Sequence, residues 1–181
     1  MNKLLFLLSL CVFSGKNIKA QKTDLNEEEI LEVVKIFAKS VKDKDSVSYL
    51  NLFHHQPIVW EGVNKDKSLN KFREKKPEMN DCFSDNYIEF IRRIVKSGKI
   101  FEEKYDNIQI INDDKIATVF FDYTFIIDSD VKNWGSESWQ LIKTNGNWKI
   151  TSIIFSSESN NVVPTPDLKQ RKKIRKNLSG S

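Results

Sequence analysis

Near residue 99 the spacing of apolar residues changes from a helical period to a strand period, and this switch limits the fold more than any other feature. Before it, Ile30, Leu31, Val33, Val34, Phe37, Ala38 and Val41 recur at helical spacing behind Asn26 and Glu29, which read as a capping box. They predict a helix over about 27–42. Asp45 caps a shorter helix carrying Val47, Leu50 and Phe53, and Pro57 to Gly62 reads as a strand. Residues 64–84 are polar and predict a long loop with a helical turn near Leu69. A third helix begins near Ser84 or Asp85, buries Tyr87, Ile91, Ile94 and Val95, and stops at Gly98. After the switch come four long strands: Ile100 to Ile111, Lys115 to Asp128, Glu137 to Thr144 and Asn147 to Ser156. Asp113-Asp114 and Asn145-Gly146 mark the tight turns. Helices followed by a run of antiparallel strands predict an α+β fold with the helices on one face of a curved sheet.

The ends divide the chain further. Lys3, the apolar run from Leu4 to Phe13 and the small Ala20 predict a signal peptide over residues 1–20, cut before Gln21; ten apolar residues are too few to span a bilayer. The expected destination is periplasmic or extracellular, with no membrane anchor left after cleavage. Residues 21–162 then form the domain, and 163–181 a basic, solvated tail. The full chain carries a net charge of +4, but residues 21–166 hold 20 basic and 24 acidic side chains, so the folded body is mildly acidic. That argues against a nucleic-acid-binding face, which needs clustered Lys and Arg on the folded surface. After cleavage Cys82 is the single cysteine, free to pair between chains or to sit buried as a small apolar residue.

Three stretches together resemble the nuclear-transport-factor-2-like (NTF2-like) superfamily, in particular its SnoaL-like and DUF4440-type bacterial branch. They are the opening helix, Asp45-Ser-Val-Ser-Tyr-Leu-Asn-Leu-Phe53 leading to Ile58-Val-Trp-Glu-Gly62, and Gly135-Ser-Glu-Ser-Trp-Gln-Leu-Ile-Lys-Thr-Asn-Gly-Asn-Trp-Lys-Ile150. The resemblance covers residues 27–157. It implies a cone-shaped, strongly curved antiparallel sheet wrapped over three helices, a pocket at the open end, and a homodimer on the outer sheet face. It does not settle function, since the superfamily includes enzymes, transport factors and oligomerisation modules.

Hairpin geometry selects what would line such a pocket. With Asn145-Gly146 as a two-residue loop, unbroken pairing sets Leu141 against Ile150, Trp139 against Ser152 and Glu137 against Ile154. One face then carries Glu137, Trp139, Leu141, Trp148, Ile150, Ser152 and Ile154 and is expected inside. Ile153 and Phe155 face outward, toward a partner subunit; a register shifted by one residue would exchange the two faces. The preceding strand puts Ala117, Val119, Phe121, Tyr123, Phe125 and Ile127 inside and Asp122 outside. Glu137 with Tyr123 is the candidate acid/base pair, because an apolar setting raises a carboxyl pKa toward proton transfer. Trp60, Tyr87, Trp134, Trp139, Ser152 and Ile154 are the candidate ligand contacts, and a small hydrophobic or aromatic molecule is the expected ligand. Ser152 and Ile154 stand where the resemblance leads one to expect polar or His side chains, so binding is favoured over catalysis, with a small lyase, isomerase or hydrolase using Glu137 and Tyr123 as one alternative and a homodimeric interaction or accessory protein as the other. His54 and His55 are adjacent and point apart in any regular element, which is poor metal-ligand spacing. No phosphate-binding or cofactor motif is present, so no metal or cofactor is expected.

Overall fold

The computed structural model describes residues 17–179 apart from residue 56; the expected signal peptide falls largely outside the described residues. In chain order the elements are α1 (Asn17–Asp43), α2 (Ser46–Leu50), β1 (Val59–Asn64), α3 (Asp66–Arg73), β2 (Cys82–Ser84) and α4 (Tyr87–Lys96). They are followed by β3 (Phe101–Asn112), β4 (Ile116–Ile127), β5 (Asp130–Thr144), β6 (Asn147–Ser159) and α5 (Leu168–Ser179). The strands form one sheet in the order β2-β1-β6-β5-β4-β3. It is mixed rather than purely antiparallel, because β1 runs parallel to β6.

The inner face is closed by α1, α2 and α4. Phe37 of α1 sits 4.8 Å from Trp139 of β5, and Tyr49 of α2 packs 5.0 Å from Phe37. Trp139, Tyr49, Phe37 and Phe121 are the largest fully buried side chains, so aromatic packing carries much of this core. Asp45 caps α2 by accepting from Val47 N and Ser48 N, and Asn86 caps α4 in the same way. Asn26 and Glu29 act differently from the expected capping box. The helix runs through them, and both side chains instead receive Lys143 Nζ from β5. The expected loop at 64–84 contains α3 and the edge strand β2. There Cys82 is exposed rather than buried.

Two turns and one bulge set the faces. Asn145 and Gly146 have φ of 50° and 78°, and Asp128 and Ser129 have φ of 52° and 71°, as two-residue hairpin turns require. The second turn starts β5 at Asp130, seven residues before the expected Glu137. The β5–β6 ladder follows the expected register from Thr144↔Asn147 to Leu141↔Ile150, then shifts: Gln140 pairs with Ser152, Trp139 with Ile153 and Glu137 with Phe155. Thr151 is the extra residue of a β-bulge, its Oγ1 donating to Gln140 O at 3.1 Å. Every β6 position beyond it changes face, while β5 keeps its own. Ile153 is fully buried and Phe155 turns inward, while Ile154 is 48% exposed, so Ile153 and Phe155 are not the partner-facing surface expected of them.

The outer face is partly covered by the C-terminal segment, which is docked rather than free. Arg171 is buried, donating from Nη1 to Tyr123 O (3.1 Å) and from Nη2 to Thr124 Oγ1 and Thr165 Oγ1 (both 2.7 Å). Arg175 reaches Asn107 O and Asp122 Oδ1, each at 2.7 Å. Asp122 does lie on the outer face as expected, but it is buried beneath this segment.

Candidate functional site

A cavity of about 170 Å³ lies between the inner face and helices α1 and α4. β4 contributes Tyr123 and Phe125 to it, β5 Asn133 and Glu137, and β6 Phe155 and Ser157. Trp60 of β1, Phe37 of α1 and Phe90 of α4 close the far side, and Glu103 of β3 stands beside them. Phe83 and Asp85, the former 39% exposed, reach it from the edge strand and the loop after it.

Glycine makes two of these placements. At Gly62 a Cβ would lie 2.3 Å from the Phe83 ring and 2.8 Å from that of Phe155, so its absence lets both rings close over β1. At Gly135, which pairs with Tyr123, a Cβ would fall 1.8 Å from Ser156 O, so no side chain fits opposite the tyrosine.

The cavity is lined by acids and neutral groups. Glu137 is 5% exposed and accepts from Trp139 Nε1 at 2.5 Å. Glu103 accepts from Tyr105 Oη at 3.0 Å. Burial pushes the Glu103 carboxyl up to about 7, against the pull of the tyrosine bond. Burial, and then the neighbouring Glu103, raise Glu137 well above the usual carboxylate range. Two interacting carboxyls of this kind release their protons as a pair, not as independent groups. Neither is matched by a Lys, Arg or His ion pair among the described residues.

Two hydroxyls sharpen the picture. Tyr123 Oη and Tyr49 Oη are buried without a hydrogen-bond partner. The Ser157 hydroxyl lies close enough to influence Tyr123 but makes no hydrogen bond of normal geometry with it. An unsatisfied buried hydroxyl costs about 1–3 kcal/mol, so a polar atom placed in the cavity would be favoured by that amount. Burial holds Tyr123, Tyr105 and Tyr49 above the ordinary phenol range, leaving all three as neutral donors and acceptors.

Of the residues singled out from sequence, Glu137, Tyr123 and Trp60 line this cavity. The others lie elsewhere. Trp139 is fully buried behind Glu137, and Tyr87 packs on Phe53 at 4.4 Å. Trp134 is on the outer face, donating to Val163 O at 2.9 Å beneath the Arg171 guanidinium. The bulge at Thr151 removes Ser152 and Ile154 from the inner face. Glu137 and Tyr123 share the cavity without a hydrogen bond to each other, Glu137 bonding Trp139 instead. His54 and His55 pack on each other at 4.2 Å, and no group of three potential metal ligands occurs among the described residues.

Glu103 and Tyr105 escaped the sequence reading. They alternate with Phe101 on one face of β3, and that period-2 pattern is the signal that places them inward. The surrounding Glu102, Lys104 and Asp106 make the stretch read as solvated instead.

No protein-family model and no curated protein matches this sequence significantly. Solved structures do. A protein of unknown function from Mycobacterium tuberculosis superposes with a TM-score of 0.59 at 10% identity, covering 85% of this chain and 84% of that one. A candidate scytalone dehydratase from Novosphingobium aromaticivorans gives 0.58 at 12% identity, covering 77% and 88%. An NTF2-like protein of unknown function from Shewanella baltica gives 0.51 at 16% identity, covering 75% and 95%. At these identities the likeness is one of fold. The chain has the NTF2-like fold, a curved sheet around helices from its N-terminal half.

Proposed function

We propose that this NTF2-like domain binds a small ring-bearing molecule in the cavity between the sheet and α1 and α4. The observation that carries the reading is Tyr123 Oη, buried in an aromatic enclosure with no protein hydrogen bond. Size limits the ligand: a cavity of about 150 Å³ accommodates benzene, so about 170 Å³ suits one ring with a short substituent. Titration with phenol and benzyl alcohol, followed by amide NMR shifts, tests this. Saturable shifts centred on Tyr123 and Phe155, weakened about fivefold or more by Tyr123→Phe, support it, since a lost hydrogen bond of about 1 kcal/mol has that effect. No saturable shift with either probe removes it.

The raised carboxyls favour a second reading, acid–base catalysis by Glu137 with Glu103. A proton-transfer group works best when its pKa lies near the operating pH, and burial brings Glu103 to about 7. Tyr123 would orient the substrate in this scheme. Exchange of carbon-bound protons of small cyclic ketones into D2O would support it if it is faster than buffer and lost in Glu137→Gln. Buffer-level exchange would remove it. Export belongs to the proposal on the strength of the Leu4 to Phe13 run and the Ala20-Gln21 junction. Native protein beginning at Gln21 supports it, and native protein beginning at Met1 removes it.

A further inference from the structure

We propose that the cavity selects a small protonated amine carried on a ring, preferring this organic cation to a neutral or anionic molecule of the same shape. This rests on the reading of the cavity as a ligand site and adds the sign of the charge.

Acids outnumber bases around the cavity. Asp85, Glu103 and Glu137 line the cavity, and among the described residues no Lys, Arg or His does. Asp85 is matched at its edge by Arg93, with Nη2 to Oδ2 at 2.5 Å. Arg171 is the other cation nearby, but it lies on the opposite side of β4, where it donates to Tyr123 O and Thr124 Oγ1. Glu103 and Glu137 are left with neutral donors, Tyr105 and Trp139. A carboxylate withdrawn from water in this way either keeps its proton or takes a cation from outside the chain. An anionic ligand would add like charge to the site.

Hydrogen-bond capacity points the same way. An ammonium group has three N–H donors and no acceptor. Facing it are the carboxylates, the Ser157 hydroxyl and the unpartnered Tyr123 oxygen, whose residue is 2% exposed. The rings of Trp60, Phe90, Phe125 and Phe155 supply the apolar walls, and their π faces attract a cation further.

Binding is therefore linked to pH. The groups around the pair are Tyr105 on β3, Tyr123 on β4, Tyr49 on α2 and Asp85 before α4, with Arg171 behind the sheet. The three tyrosines stay neutral in this range, so the carboxyls are the groups that must lose a proton to receive the amine. Affinity should rise with pH through about 7 and fall where the amine itself deprotonates, near 10 as for a lysine side chain.

Isothermal titration of the protein with benzylamine, benzyl alcohol and benzoate at pH 6 and pH 8 tests the proposal. Expected at pH 8 is benzylamine binding at least about tenfold tighter than benzyl alcohol, with no benzoate binding and a benzylamine affinity lower by about tenfold at pH 6. Glu103→Gln and Glu137→Gln, each checked for native amide spectra, should lose the amine preference while retaining benzyl alcohol. Should either variant fail to fold, the pH dependence of the unaltered protein decides alone. Equal affinity for amine and alcohol at pH 8 would overturn the charge selection and leave the ring-binding reading standing. Failure of all three probes to bind would overturn both.

Discussion

Asp122 is 7% exposed on the outer face of the sheet and Glu137 5% exposed on the inner face, so the two carboxylates have lost nearly the same amount of water. The chain completes only one of them. Asp122 accepts from Arg175 Nη2 at 2.7 Å, Asn107 Nδ2 at 2.6 Å and Ser136 Oγ at 3.2 Å. Glu158, also on the outer face, accepts from Ser68 N at 3.1 Å in the first turn of α3 and from Ser68 Oγ. On the inner face Glu137 has Trp139 as its donor and another acid, Glu103, as its electrostatic neighbour. Burial alone therefore does not mark a functional acid. What separates the two faces is whether the protein itself supplies the compensating charge or helix terminus, and at the cavity it does not.

Stability against pH should break this symmetry most strongly. Glu103 has its pKa raised in the folded state, so the folded protein holds its proton more tightly than the unfolded chain. Stability is then fullest below the unfolded carboxyl value near 4.5 and is lost as pH rises through about 7. Urea midpoints of the unliganded protein should show a loss of about 3 kcal/mol between pH 4.5 and pH 8, with Glu103→Gln/Glu137→Gln flattening the curve. A smaller effect is expected from the outer face. Arg171→Ala should cost about 2 kcal/mol by removing charged donors buried against β4, and should open residues 163–176 to trypsin. Smallest, and opposite in sign, are the two glutamine variants at pH 8. Glu158→Gln should lower stability by about 1 kcal/mol through weaker capping of Ser68, whereas Glu137→Gln should raise it by a similar amount. Equal signs from the two would dissolve the distinction between the faces.

The sequence made the β5–β6 hairpin legible only as far as Leu141. Asn145-Gly146 requires positive φ and so announces its turn, but the bulge at Thr151 demands no particular residue and leaves no mark in the composition. That one residue decides that Ile153 and Phe155, and not Ser152 and Ile154, face inward. Glu137 and Tyr123 were legible because neither lies on the bulged strand β6 and both alternate with large apolar neighbours on their own strands. Glu103 was obscured by the charges of Glu102 and Lys104, whose side chains face the other way on β3. The docking of α5 was obscured for a different reason. A run of Lys and Arg reads as solvated until the partners are known, and Asp122 and Tyr123 O lie about fifty residues away in sequence.

The most direct measurement is a carboxyl-carbon NMR titration of the unliganded protein with glutamates labelled at Cδ, resonances assigned through Glu103→Gln and Glu137→Gln. The resonances lost in these two variants should titrate near pH 7 or above, Glu103 at about 7. Midpoints near 4.3 for both, as for a solvated glutamate, would contradict this.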